Sequence, residues 1–342
     1  MARTTVYNKV VEDGNYELVN EENKELLNEF VDYLHSIDRS DLTVKNYISD
    51  IKIFYIWNLE HNKNKFFVNF TKRDMVKFQN HMLNSMGLSS NRIRRIRASL
   101  SSMSNFIEAI LDEDFPQFRN IINKIPAPAK NPVREKTILT DNQVQELLDL
   151  LVEKNEFQQA CALALAWSTG SRKSELLRFK VDFFSDENIV FDSLYKTPKI
   201  STKGRGKNGK LLNKYVLLDF KKYFDLWMEE RDELGIDSEW LFVTKQNSEW
   251  KQMKISTLNS WAITFSKILN VDFYFHSLRH QLCTRLHKLS LPQDIIQEYF
   301  GWDSAEMLKI YNDMDLSEEF GKYFTKDGII EGTVGNINDI SN

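Results

Sequence analysis

The sequence predicts a mainly α fold with a small antiparallel β-sheet, organised as a helical domain followed by a mixed α/β domain. Three observations carry this. Apolar residues recur at helical spacing along most of the chain, and only 12 Gly and 6 Pro in 342 residues interrupt it. One stretch, residues 187–219, instead sets short β-branched and aromatic runs around a Gly- and Lys-rich turn. The length exceeds what one hydrophobic core usually serves, and KIPAPAKNPVREK (124–136) has the composition of an extended linker. The expected boundaries are an N-terminal extension without assigned structure (1–21), a helical domain (22–125), a linker (126–136), an α/β domain (137–325) and a tail (326–342).

In chain order, the first helix is NKELLNEFVDYLHSI, with Leu26, Leu27, Phe30, Val31 and Leu34 on one face. LTVKNYISDIKIFYIWNLEH supplies a second, and Thr71 with Asp74 approximates a capping box that opens a third at TKRDMVKFQNHML. The fourth, SSNRIRRIRASLSSMSNFIEAIL, buries Ile93, Ile96, Leu100, Met103 and Ile107 and carries Arg92, Arg94, Arg95 and Arg97 in its first turns. Cations there oppose the helix macrodipole at roughly 0.3–1 kcal/mol each when exposed, a sign that a bound phosphate would reverse. A solvated basic face is the competing reading. Beyond the linker, Thr140 and Gln143 cap TDNQVQELLDLLVEK, and FQQACALALAWSTG reads as a buried helix closing near Gly170. The runs ENIVFD, YKTPKIST and LLNKYVLLD frame a hairpin with the basic tip KGRGKNGK. Helices resume with DFKKYFDLWMEERDEL, TLNSWAITFSKIL, SLRHQLCTRLHKL, LPQDIIQEYFGW and SAEMLKIYNDM.

Composition narrows the function. The longest apolar run, ACALALAW, is too short for a bilayer, and the first residues lack the apolar core of a secretory signal, so a cytoplasmic protein is expected. Cys161 and Cys283 lack the paired spacing of a zinc site or disulfide framework and read as buried thiols. A net charge of −4 argues against a uniformly basic nucleic-acid binder, yet NRIRRIRASL and KISTKGRGKNGK concentrate positive charge locally. Within FHSLRHQLCTRL, His276 and Arg279 stand three apart and point into one small volume where an anion fits.

Four separated segments combine: STGSRKSELLRF with Arg172, the hairpin with Lys203, HSLRH with His276 and Arg279, and GWDSAEMLKIYNDM with Trp302 and Tyr311. In this order they resemble the two arginine boxes and the tyrosine box of the tyrosine recombinase (phage integrase) family, in its Xer/Cre-like two-domain form. The arginine-bearing fourth helix is similar to the last helices of that family's core-binding domain. The resemblance therefore spans roughly residues 22–325. It implies a helical core-DNA-binding domain and a catalytic domain that close around duplex DNA, and exchange of phosphodiesters through a covalent 3′-phosphotyrosyl enzyme. Because the extension is short, an additional arm-binding domain is not expected.

The residue types suit that chemistry. A phenol with a pKa near 10 is a weak nucleophile at neutral pH and needs a proton acceptor and a positive environment. Two guanidiniums can hold the non-bridging oxygens and stabilise charge at pentavalent phosphorus. By resemblance, Tyr311 is the nucleophile, Arg172 and Arg279 grip the phosphate, and Trp302 adds an indole N–H. His276 then acts as phosphate donor or as base for Tyr311. Lys203 is the acid for the 5′ oxygen, although Thr202 stands where the family has Gly, which leaves Lys199, Lys207 and Lys210 open. Glu175 matches an acidic family position and would orient the arginine or the histidine.

Arg92, Arg94, Arg95, Arg97, Arg205, Lys207 and Lys210 are the expected DNA contacts, whereas His280, Arg285 and Arg178 are assigned structural roles. Tyr299 and Tyr323 compete with Tyr311, and box spacing alone selects among them. Neither a P-loop nor a metal-ligand cluster is present, and the resemblance requires no cofactor or metal. The implied partners are double-stranded DNA with an inverted-repeat core site, three further copies in a homotetramer on two sites, and an accessory DNA-bending or directionality protein; no membrane is involved. A type IB-like topoisomerase and a catalytically inactive DNA-binding regulator remain as alternatives. By the same resemblance, the first half of DLSEEFGKYFTKDGIIEGTVGNINDISN (315–342) is expected to be a helix docking on a neighbouring protomer.

Overall fold

A computed structural model describes residues 5–12, 14–129, 137, 139–202, 204, 209–289, 291–304, 306, 307, 324, 325, 328 and 329. The chain divides into two compact units, the first taking in Met1–Glu135 and Lys203–Lys210 and the second Lys136–Thr202 with the chain from Leu211 on.

In the first unit the extension is more ordered than the sequence suggested. Thr5 caps a short helix α1 (Val6–Val10) by accepting the Asn8 N–H, and Val6, Tyr7 and Val10 pack on the core. Val6 and Val10 are four apart, the spacing that gives even one turn an apolar face. Helices α2 (Glu21–Ser36), α3 (Asp41–His61), α4 (Lys72–Asn80) and α5 (Ser90–Ile110) follow, capped in turn by Asn20, Ser40, Thr71 and Ser89. Each cap oxygen takes one otherwise orphaned N–H of the first turn. The Thr71–Asp74 capping box is present. α4 runs on into a π-helical turn, His81–Ser85. α3 is central: Ile51, Ile53, Phe54, Tyr55, Ile56 and Trp57 are all buried, more than one face of a surface helix would hide. Against it packs α5, whose Ile93, Ile96, Leu100, Met103 and Ile107 form the predicted stripe, every one at 0% exposure.

The second unit is built on α7 (Phe157–Thr169), preceded by α6 (Asp141–Glu153) with its Thr140–Gln143 capping box. A one-turn helix α8 (Lys173–Leu176) leads into the sheet region. There β1 (Ile189–Val190), β2 (Leu194–Lys196) and β5 (Tyr215–Leu217) form an antiparallel sheet in the order β1-β2-β5. Tyr195 pairs with Val216, and this register sends both to the core. Strands β3 (Ile200–Thr202) and β4 (Lys210–Leu212) make a separate pair.

After α9 (Lys221–Glu233) comes a hairpin that the sequence did not announce, β6 (Val243–Gln246) with β7 (Glu249–Gln252). Its turn residues Asn247 and Ser248 take φ of 49° and 67°, so the chain reverses there without the usual glycine. Helices α10 (Ile255–Leu269), α11 (Phe275–Lys288) and α12 (Gln293–Phe300) complete the unit. In the tail region β8 (Phe324–Thr325) pairs with β9 (Gly328–Ile329), so a strand pair stands where a docking helix was expected to end. Most of SAEMLKIYNDM, including Tyr311, lies outside the described residues, as do Tyr323, Lys203, Arg205 and Lys207. Among the described residues no helix is long and apolar enough to cross a membrane. Cys161 and Cys283 are buried and neither is in a disulfide, and burial pushes the Cys161 thiol well up.

Candidate active site

The site is assembled at the ends of α7, α11 and α12. Helix α7 stops at Gly170, which adopts φ 56°. A Cβ there would stand 2.6 Å from the Phe300 ring and 3.3 Å from the Arg279 Cα, so both the conformation and the close approach require glycine. What approaches is Arg279, at 0% exposure. Its Nη1 donates to the Gly170 carbonyl at 2.9 Å and its Nη2 to the Phe300 carbonyl at 3.3 Å. The guanidinium also lies 4.7 Å from the centre of the Phe300 ring and 5.3 Å from that of Trp302, two rings stacked on each other at 4.6 Å. Carbonyl dipoles and aromatic faces thus hold a desolvated cation in place.

Arg172 caps α8 from the other side. Its backbone is extended, and Glu175 reaches back to it: Arg172 Nη1 donates to Glu175 Oε1 at 2.7 Å, and the Arg172 N–H donates to Oε2 at 3.3 Å. The short R-x-x-E spacing produces this reciprocal clasp. Oε2 also accepts from Lys214 Nζ at 2.9 Å, across the sheet from the segment joining β4 to β5. Burial would raise the Glu175 carboxyl, but Lys214 and Arg172 outweigh it and hold the group at about 2. Lys214 is lowered by its burial and by Arg279 and Arg172, against the upward pull of Glu175. Arg172 keeps 27% of its side chain exposed, whereas Glu175 is fully enclosed.

His276 stands in the first turn of α11, edge-on to His280 at 5.5 Å. Desolvation, then His280, Arg279 and Arg172, bring its pKa down to about 4, so the imidazole is neutral at pH 7. A neutral ring can accept a proton from a phenol or donate its N–H to an anion. Tyr299, a rival for the nucleophile, is committed elsewhere: its hydroxyl donates to the Ser168 carbonyl at 2.6 Å, and burial drives its pKa far up.

Comparison with known proteins decides the family. Residues 137–318 match the phage integrase family, and residues 26–117 match the phage integrase N-terminal SAM-like domain. The chain belongs to the phage integrase family. It is 30% identical over 325 residues to the SPbeta prophage-derived recombinase-like protein YomM of Bacillus subtilis, covering 92% of this chain and 94% of that one. A tyrosine recombinase of Thermosipho africanus is 25% identical over 85% of this chain and 95% of its own. In fold the chain resembles a lambda integrase (75–356) dimer bound to a COC′ core site, with TM-score 0.62, 20% identity and coverage of 85% of this chain and 95% of that one. XerH bound to palindromic difH substrate in a post-cleavage complex gives TM-score 0.62 at 19% identity, covering 92% and 90%.

Set beside the residues read from the integrase boxes, the structure gathers Arg172, Glu175, His276, Arg279 and Trp302 into one cluster. Sequence reasoning missed Lys214. Its only signal was a lysine between apolar strand residues in LLNKYVLL, where burial on both sides would demand a partner. Arg178, assigned a structural role, donates to the Ser201 carbonyl and so anchors β3, the strand that runs toward Lys203. Lys210 opens β4 and is half-buried.

In the first unit the four arginines of α5 part company. Arg92 and Arg95 reach the fully buried Asp50 at 2.5 Å and 3.3 Å, and Arg94 donates to the Pro128 carbonyl at 2.9 Å while staying exposed. Arg97 turns inward. It is 7% exposed, and its guanidinium is taken by Gln79 and the Ile122 and Ile125 carbonyls, which sets it apart from the exposed Arg94 and Arg95. A carboxylate on α3 offsets the cations at this helix N-terminus.

Proposed function

We propose that this integrase-family chain is a site-specific DNA recombinase that cleaves and rejoins strands through a 3′-phosphotyrosyl intermediate. One observation carries the reading. Arg172, Arg279 and neutral His276 lie within electrostatic reach of one another, with Glu175 clasped between Arg172 and Lys214. Guanidiniums held together in this way suit a phosphodiester, whose non-bridging oxygens they can grip.

The Tyr311 phenol attacks phosphorus, giving up its proton toward neutral His276. The 5′ oxygen leaves with a proton from Lys203, and Arg172 and Arg279 stabilise the charge building on the equatorial oxygens. Because Arg279 is wholly enclosed, its cover has to shift when DNA binds. The broken bond's energy stays in the phosphotyrosine, so a 5′ hydroxyl of another strand reseals it without ATP. The reading extends to four copies on two inverted-repeat core sites, in line with the lambda integrase tetramer bound to a Holliday junction, and to an accessory DNA-bending or directionality protein.

Trapping on a library of nicked duplexes tests it. Wild type is expected to form a covalent protein–DNA species on the sites it selects, and Tyr311→Phe to bind those duplexes but form none. Covalent species with the Phe variant would overturn Tyr311 as nucleophile, and none with wild type would overturn recombinase activity.

A further inference from the structure

Glu175 presents a difficulty that the two-arginine grip does not resolve. Its carboxylate is fully buried and 2.7 Å from Arg172, the phosphate-gripping arginine with an exposed edge. Alone, that pairing would cancel much of the positive field Arg172 offers a substrate, because two opposite charges in contact look nearly neutral from outside. The second unit places Lys214 on the other oxygen of the same carboxylate. The ammonium is 2.9 Å from Oε2 and its side chain is 3% exposed, on the segment between β4 and β5. A lysine seldom enters an interior unless something there requires its charge.

We propose that Lys214 is a positioning residue whose ammonium takes up the charge of Glu175, leaving the Arg172 guanidinium oriented by that carboxylate yet still cationic toward the scissile phosphate. Glu175 can then serve as a mechanical clasp without acting as a competing anion. In this role Lys214 acts through Glu175 on Arg172. The proposal rests on the recombinase reading.

The test uses single-turnover covalent trapping of the full chain on a nicked duplex selected by wild type from a randomised library, at saturating protein. Failure of wild type to trap any duplex sinks the recombinase reading; the Lys214 assignment is decided by the variants on a duplex that wild type does trap. Lys214→Met is expected to slow cleavage on the order of 100-fold with duplex affinity changed less than about 3-fold. Lys214→Arg restores the rate to within about 10-fold of wild type. The decisive comparison is the double variant Lys214→Met/Glu175→Gln. With both charges removed, cleavage is expected to be about 10-fold faster than in Lys214→Met alone, the sign of coupling that charge offset demands.

A merely structural lysine predicts that the second lesion adds to the first. A double variant slower than Lys214→Met, or a Lys214→Met enzyme at wild-type rate, overturns the proposal. Should Lys214→Met not fold, the same coupling is read from the Glu175→Gln background. There, adding Lys214→Met must leave the rate unchanged or raise it, and a further loss overturns the assignment.

Discussion

Each unit sets basic side chains on one fully buried carboxylate, and the two clusters expose their cations differently. In the first unit Asp50 accepts from Arg92 and from the Ser99 hydroxyl and forms an ion pair with Arg95, and the arginine side chains remain 21% and 50% exposed. Water takes up the surplus charge there. In the second unit Glu175 is shared by Arg172 and an enclosed lysine, with Arg279 buried under two rings. Here Lys214 and Arg279 face protein. Exposed cations cost little and suit sequence-independent contact with a phosphate backbone; enclosed ones are costly unless the interior requires their charge.

The comparison breaks first, and by the largest margin, at Asp50. In Asp50→Asn two guanidiniums stay beside a helix N-terminus with no anion, and we expect a loss of about 3 kcal/mol from the first unit. Hydrogen exchange of α3 and α5 amides in the full chain reports it directly. Protection changed by less than about 1 kcal/mol would mean that solvent already screens this pair as it does surface ion pairs.

These carboxylates also mark where the sequence stops being legible. Capping boxes at Thr71 and Thr140, the stripe of α5 and the stop at Gly170 were readable because each depends on residues within one or two turns. The Arg172–Glu175 clasp was readable for the same reason, being three residues long. Lys214 meets Glu175 across 39 residues and Arg92 meets Asp50 across 42, and no periodicity encodes a pairing of that range. Family resemblance proposed the reacting residues yet could not separate Arg97, which faces inward, from Arg94, which faces water. Both occupy the same basic run, and only the fold of residues 122–125 supplies Arg97 with acceptors.

Titration sharpens the contrast at intermediate size. His276 is held at about 4 against its ordinary 6.5. A depressed histidine binds its proton more readily in the unfolded chain, so this contribution to stability is complete above pH 6.5 and is lost as pH falls toward 4. It amounts to up to roughly 3 kcal/mol before solvent screening. His81 in the first unit shifts the same way, through burial and His61, so the difference between wild type and His276→Gln isolates the active-site part. Denaturant unfolding at pH 7 and pH 5 should show a smaller loss in His276→Gln than in wild type. Equal losses would place the His276 proton equilibrium near that of the unfolded chain.

The smallest effect separates the two kinds of arginine within one helix. Arg94 is exposed, and its side chain makes one hydrogen bond to a backbone carbonyl, so it can turn to a DNA phosphate and release a counterion. On a mixed-sequence duplex, Arg94→Ala is expected to lower the slope of log affinity against log salt by about 1, with stability nearly unchanged. Arg97→Ala should do the reverse. It leaves the Ile122 and Ile125 carbonyls without their donor, destabilising the first unit by about 2 kcal/mol while the salt slope stays where it was. If Arg97→Ala instead flattened the slope, its guanidinium would have to leave those carbonyls whenever DNA binds. The line drawn here between exposed, DNA-facing charge and buried, structural charge would then fail inside the first unit itself.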